Sequence, residues 1–297
     1  MDQRTLVPWW GKICLKVILS RLPVDYSVWR RLSVFKKGLM NRPDHAYRVF
    51  RTHVDRAGIE RMRGEFVVLE MGPGDALTTA IIAQAHGGSF SYLVDVGHYA
   101  TANLEPYLAM AQFLGRKGLP VCDLSNARTL TDVCSCSKAK YLTEGLESLR
   151  LIPDASIDFI FSEAVLEHVS RADFQATVSE MRRIIKPDGV CSHQVDLKDH
   201  LAYGLNNLRF PRSLWESRWL ARSGFYTNRI RYSEMMRIFG MAGFSARALN
   251  VSRWPKLPIR REKLHEEFSR LPDDDLLIAS FGVVLNPLGT SHSSVST

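Results

Sequence analysis

Read from the N-terminus, apolar residues first recur at helical spacing. From Trp9 to Leu22 (WWGKICLKVILSRL), Lys12, Lys16 and Ser20 fall at steps of four and form one polar stripe on a broadly apolar helix. Pro23 ends it, because proline disfavours helix in the residue before it. A second helical stretch is predicted over 28–39 and a third over 44–63, where Asp44 follows Pro43 as a candidate cap. The period then changes. Phe66-Val67-Val68-Leu69-Glu70 is a short apolar run that ends at Gly72-Pro73-Gly74, and a helix is predicted over 76–86. A strand over 89–96 (SFSYLVDV) and a helix over 99–114 follow. Further on come a buried strand at 157–161 (IDFIF), a helix over 174–185, a turn at Lys186-Pro187-Asp188-Gly189 and a strand over 190–195. The C-terminal part reads as a helix at 233–242 and two strands, 244–251 and 276–284, joined by a charged helical link over 260–270. Short apolar strands alternating with helices imply βαβ units and a parallel sheet covered on both faces.

Residues 197–230 break this rhythm. They are polar, Arg-rich and aromatic, with Tyr203, Phe210, Trp215, Trp219, Phe225 and Tyr226. A long insert after the C-terminal end of a strand is where α/β proteins place substrate-binding elements. Its aromatics suit either a lid over a hydrophobic or sugar substrate or the core of a small helical cap. The chain thus divides into a helical extension (1–63), an α/β domain (64–288) carrying the insert, and a Ser/Thr-rich tail (289–297) expected to be disordered.

Composition adds limits. At 45% hydrophobic and 24% charged residues, disorder is excluded for the bulk of the chain. No apolar run approaches the length of a membrane span, and Lys12 and Lys16 interrupt the N-terminal stretch, so neither a span nor a cleavable leader is read there. Five scattered cysteines suit a reducing compartment, and no second Cys or His pair accompanies Cys134 and Cys136 at zinc spacing. The expected location is cytoplasmic. The Trp9 to Leu22 segment has two readings: a helix in a lipid interface, giving peripheral contact with the inner membrane face, or a helix packed on the chain's own core. The net charge of +8 is uneven: +9 over 1–63, −7 over 64–196, +10 over 197–261 and −4 over 262–297. Nucleic acid is the reflex reading of such a basic chain. The distribution instead puts positive charge outside an acidic middle, and the basic insert suggests an anionic or hydroxyl-rich substrate.

The densest chemistry lies at Val67-Val68-Leu69-Glu70-Met71-Gly72-Pro73-Gly74-Asp75-Ala76. Gly72 and Gly74 allow backbone to approach a ligand where a Cβ would block it, and the helix that follows aims free amides at the site. Asp95, 21 residues after Gly74, ends the second strand, where an acidic side chain accepts from ribose hydroxyls in doubly wound folds. Glu70 discriminates between ligands. A carboxylate at the turn repels a pyrophosphate but suits a ligand with an ammonium, such as the amino-acid end of S-adenosylmethionine.

With these residues in view, the sequence resembles the class I S-adenosylmethionine-dependent methyltransferases, and within them the type 11 small-molecule group. The matching pieces are LEMGPGDA (69–76), YLVDVG (92–97), IPDASIDFIFSEAVLEHV (152–169) and MRRIIKPDGV (181–190), with Asp188 where that group has a glycine. The resemblance implies a doubly wound, seven-stranded, mostly parallel Rossmann-like sheet and S-adenosylmethionine as cofactor. It implies that Glu70, Gly72 and Gly74 shape the methionine end, that Asp95 holds the ribose, and that Ser162 and Glu163 line the floor beside the sulfonium. The adenine-side acidic residue of the family has no direct counterpart; Glu144 and Gly145 of the segment Thr143-Glu144-Gly145-Leu146-Glu147 stand nearest to it.

Methyl transfer from a sulfonium is an in-line displacement that needs no metal, and an oxygen nucleophile of high pKa gains from a general base. His193, Asp196 and His200 lie in SHQVDLKDH (192–200), where either histidine with Asp196 would make a carboxylate-oriented base; the alternative is that these residues cap the strand and anchor the insert. His168 is expected to cap or pack the following helix. The function expected is O-methylation of a small-molecule, glycan or lipid-linked acceptor. The alternatives are an RNA or other nucleic-acid methyltransferase, against which stands Ser162-Glu163-Ala164-Val165 in place of an Asn-Pro-Pro-aromatic motif, and a non-catalytic membrane-associated binding protein on the same fold.

Overall fold

The computed structural model describes residues 11, 39–58, 65–221 and 224–289. The helices expected around 9–22 and 28–38 and the tail from 290 lie outside the described residues, apart from Gly11. Helix α1 (Pro43–Ala57) precedes strand β1 (Phe66–Met71). There follow α2 (Thr78–Ala85), β2 (Gly88–Val94), α3 (Glu105–Arg116), α4 (Leu130–Cys136), β3 (Ala139–Leu142), α5 (Leu146–Arg150) and β4 (Ile157–Glu163). The chain continues through α6 (Arg171–Ile184), β5 (Ile185–Asp196), the short α7 (Arg212–Trp215), α8 (Tyr232–Met241) and β6 (Phe244–Arg253). Two single-turn helices, α9 (Glu266–Ser269) and α10 (Asp273–Leu276), lead to β7 (Ile278–Pro287). One sheet of seven strands holds them in the order β3-β2-β1-β4-β5-β7-β6. β1 to β5 run parallel, and β7 enters antiparallel to both β5 and β6. The strand order reverses between β1 and β4, and a crevice opens at such a switch point beyond the C-terminal strand ends.

Both faces of the sheet are covered, which is why the strands read as continuous apolar runs and not as alternating ones. Val49 and Phe50 of α1, Ala80 and Ile81 of α2 and Tyr107 of α3 share one core with Val68, Phe159 and Phe161. Phe174, Val178 and Met181 of α6 and Phe239 of α8 share the other with Leu69, Ile160 and Cys191. Helix ends follow the local chemistry. Pro43 occupies the first turn of α1 and Gly58 closes it at φ 67°, so the helix expected over 44–63 stops earlier. Ser170 caps α6 by accepting from the Asp173 amide. The turn signal at 186–189 falls inside β5, where the ladder steps from Ile157↔Ile185 to Phe159↔Val190 and the extra residues bulge out. The charged link at 260–270 is not one helix: a 3₁₀ turn (Arg261–Lys263) precedes α9, and Pro272 separates α9 from α10. Among the described residues no helix is long and apolar enough to cross a membrane.

The insert after β5 is a small core of its own. Trp215, Phe225 and Tyr226 are buried with Leu201 and Leu220, and the Trp215 indole N–H donates to the Thr227 carbonyl at 2.7 Å. Asp199, itself buried, accepts from the amides of Leu201, Ala202 and Asn206 and so closes the first turn of the insert. Of the two readings of the aromatics, packing therefore accounts for most of them, while Tyr203 and Trp219 stay more than half exposed.

Candidate cofactor and transfer site

The site is built where β1 delivers the chain to the glycine turn. Gly72 turns with φ 69°, its amide donating to the Val94 carbonyl at 2.8 Å. A Cβ at Gly72 would lie 2.4 Å from a Val165 methyl, so only glycine fits there. Gly74 also has positive φ, at 67°, and its amide donates to Asp95 Oδ2 at 3.1 Å. The other Asp95 oxygen accepts from the Val96 amide at 2.8 Å, which ties the ends of β1 and β2 to one carboxylate. Asp95 is buried, which raises its pKa, and the two amides partly offset that rise. Gly145 donates its amide to the Asp95 carbonyl at 2.8 Å and brings the end of β3 to the same point.

A cavity of about 510 Å³ opens over these strand ends. Gly72, Gly74, Asp95 and Gly145 line it, Val96 and Leu146 give it an apolar side, and Val165 and His168 close the side nearest β4. Glu70, one residue before the lining residue Met71, is 2% exposed and does not itself line the cavity. Burial pushes its pKa up to about 8; the Thr79 hydroxyl works against that shift, and the charges of Asp95 and Glu163 add to it. Its Oε2 is buried and has no hydrogen-bond partner. An orphaned carboxylate oxygen just before a glycine turn, with a ribose-type acceptor 21 residues on, is a donor set that S-adenosylmethionine satisfies: a cationic amino-acid end near Glu70 and hydroxyls near Asp95.

The remaining expected residues fall in other places. Ser162 is wholly buried and pairs with His193 Nδ1 at 2.7 Å. Glu163, the last residue of β4, is held by His53. Glu144 is exposed, its amide bound to the Ser148 hydroxyl, and it does not line the cavity. Of His193, Asp196 and His200, His193 stands apart, whereas Asp196 and His200 both lie close to His168. His193 is a core residue whose pKa burial, and then the His53 ring, push down to about 3. Asp196 binds the Lys198 amide and ammonium at 2.9 and 3.0 Å. His200 packs its ring against His168, 4.9 Å between centroids. His168, read from the sequence as a capping or packing residue, lines the cavity instead, with Nδ1 2.8 Å from the Tyr226 carbonyl. Among the contributors that sequence reasoning did not single out are Val96, Leu146 and His53. Val96 and Leu146 flank residues that were singled out, so adjacency to Asp95 and Gly145 was the available signal. His53 carries no motif at all.

A seven-stranded sheet in this order, with an antiparallel β7 and an acid-ended β2 beside a glycine turn, defines the Rossmann-like methyltransferase class. Residues 69–192 match the family model described as a methyltransferase domain. Over these residues the chain therefore carries a methyltransferase domain, and the polar groups around the cavity fit S-adenosylmethionine as its cofactor. No match is found among curated proteins. Among solved structures, the chain is similar to the Burkholderia thailandensis 1,6-didemethyltoxoflavin-N1-methyltransferase, with 14% identity over 97% of this chain and 94% of that one and a TM-score of 0.45. It is similar to the YcgJ protein of Bacillus subtilis, with 19% identity, 83% and 100% coverage and a TM-score of 0.43. Phosphoethanolamine N-methyltransferase 2 of Haemonchus contortus is 14% identical over 82% of this chain and 53% of that one, with a TM-score of 0.46.

Proposed function

We propose that the protein methylates an oxygen of a small-molecule, glycan or lipid-linked acceptor. The observation that carries this reading is the setting of His168. Its Nδ1 faces a backbone carbonyl, which can only accept, so Nδ1 bears the proton and Nε2 keeps a lone pair. Desolvation in the cleft wall, and then the neighbouring His200 ring, lower its pKa, which leaves the ring neutral at pH 7. A neutral imidazole on the cavity wall suits an acceptor whose proton must be removed, and the insert supplies the carbonyl that orients it.

When bound, S-adenosylmethionine supplies a methyl group activated by the positive charge on sulfur. On this reading Gly72 and Gly74 admit the ligand close to backbone, Asp95 accepts from the ribose with its remaining lone pairs, and Gly145, Val96 and Leu146 flank the base. Glu70 receives the ammonium, and Glu163 stands at the β4 edge. His168 Nε2 would take the acceptor's hydroxyl proton, leaving the oxygen ready to accept the methyl group that the cofactor would supply. The test is mass spectrometry of glycan, lipid-linked and small-molecule pools incubated with the protein and a methyl-labelled donor. The expected result is a labelled methyl ether or ester. Label recovered only in RNA, or only on nitrogen, overturns the reading.

A further inference from the structure

Helix α1 lies outside the matched stretch 69–192, yet it sends a fully buried histidine to the ligand-facing edge of the sheet. The His53 ring packs on Phe161, 5.1 Å between centroids. Its Nδ1 is 2.8 Å from Ser192 Oγ and its Nε2 is 3.1 Å from Glu163 Oε2. A neutral ring meets both partners in one way: the Ser192 hydroxyl donates to Nδ1, and Nε2–H donates to the carboxylate. Burial lowers the His53 pKa against the opposing pull of Glu163, so the ring adds no positive charge of its own.

The residue it holds is placed unusually. The Glu163 side chain is 42% exposed, whereas the ring behind it is at 0%. Glu70 pairs with Phe161 across β1 and β4, and Glu163 follows Phe161 on the same face by strand alternation. An ionised Glu163 so placed disfavours the charged form of Glu70 and helps to raise its pKa. A free glutamate at an open edge would turn away into solvent, where both its solvation and its entropy improve. The bond from His53 opposes that. The orphaned Glu70 Oε2 marks the same spot as one awaiting a positively charged partner.

We propose that His53 is a positioning residue of the methyl-donor site, holding the Glu163 carboxylate beside Glu70 so that the pair favours a cationic donor over its neutral product. This rests on the cofactor assignment above. The donor carries its charge on sulfur and S-adenosylhomocysteine does not, so the pair weakens its hold once the methyl group has left. A single carboxylate within Coulomb range of the sulfonium charge, at a part-exposed edge, is expected to distinguish the two ligands by roughly tenfold.

The experiment is calorimetric titration of the full chain with S-adenosylmethionine and with S-adenosylhomocysteine, reading the ratio of the two affinities. Glu163→Gln is expected to lower the donor preference roughly tenfold, from the same Coulomb argument. His53→Leu is expected to lower it equally, His53→Gln, which keeps an N–H donor, to restore most of it, and the double variant with Glu163→Gln to add nothing further. A merely structural role for His53 would weaken both ligands alike, and that result overturns the proposal, as does an unchanged ratio in Glu163→Gln. Should His53→Leu not fold, Ser192→Ala, which releases the other side of the ring, takes its place and must lower the ratio. A wild-type chain that binds neither ligand overturns the cofactor assignment itself, an outcome distinct from all of these.

Discussion

Removing the carboxylate of Glu70 tests the site most directly, because its charge state is set by burial. In the ligand-free protein its pKa is about 8, against an ordinary value of 4.5. At pH 7 about nine-tenths of the molecules therefore hold it protonated. An ammonium docking against it returns the pKa towards or below the ordinary range, so the complex binds fewer protons than the free protein. Binding then releases a proton from most molecules at pH 7, and raising the pH strengthens it by up to tenfold per unit below the raised pKa, or about 1.4 kcal/mol. Calorimetry with S-adenosylhomocysteine in buffers of different ionisation enthalpy measures the proton count as a slope. The pH 6 to 7.5 window keeps the ligand's own α-amino group, with a pKa of about 8, charged. Glu70→Gln should flatten the slope to near zero. The same shift has a stability consequence of defined sign. The folded pKa lies above the unfolded one, so the folded state holds the extra proton, and stability present below about pH 4.5 is lost as the pH rises through 8. Glu70→Gln should thus raise the melting temperature of the ligand-free protein at pH 8 and leave it little changed at pH 4.5. Tight binding with no proton release in the wild type, or a slope that survives Glu70→Gln, would refute the reasoning.

Gly72→Ala should abolish S-adenosylhomocysteine binding and lower the melting temperature, since a Cβ meets Val165 at 2.4 Å and φ is 69°; adding Val165→Ala should recover part of the stability, but not the roughly 1 kcal/mol cost of positive φ. His168→Gln should leave product affinity within about twofold and lower turnover by roughly 10²-fold or more, measured on the acceptor identified by mass spectrometry. His193→Leu should behave in the opposite way, changing the denaturation midpoint while affinity and turnover per folded molecule stay near wild type. Trp215→Ala should destabilise the insert by about 3–5 kcal/mol, read from denaturant unfolding, because the indole is fully buried among Phe210, Phe225 and Tyr226.

What could be read from the chain follows a physical boundary. The parallel core was legible because strands covered on both faces must be apolar throughout, and the glycine turn because backbone approach and positive φ leave few residue choices. Asp95 was legible for the same reason: it sits at a fixed distance along one βαβ unit. The base was not. His193 and Asp196 stand on the strand that reaches the right edge, but a one-residue change along a strand turns a side chain to the other face, and no local pattern marks that β5 aims His193 at Ser162 in the core. His168 is oriented by the carbonyl of Tyr226, and His53 meets Glu163 and Ser192 more than a hundred residues away. Such contacts exist only once the fold is formed.

The charge pattern needs the same correction. A net +10 over 197–261 suggested an anionic acceptor at the mouth of the site. Several of those cations are structural. Arg231 is buried with its guanidinium on the carbonyls of Leu197, Asp275, Leu276 and Ile278, and burial lowers its pKa to about 10. Arg229 reaches the carbonyls of Asn207 and Phe210 and stacks over Trp215 and Phe268. Arg212, Arg253 and Arg261 pair with Glu267, Asp274 and Asp273. Arg212, Arg229 and Arg231 knit the insert to the α9–α10 segment and to β7, and Arg253 and Arg261 tie β6 and the 3₁₀ turn to that segment, so all five are engaged in the fold. The basic excess is therefore first a device for folding a polar, carbonyl-rich insert over the sheet edge. Replacing Arg231 should cost stability before it changes anything about acceptor choice, because four backbone carbonyls would lose their shared donor in a dry interior.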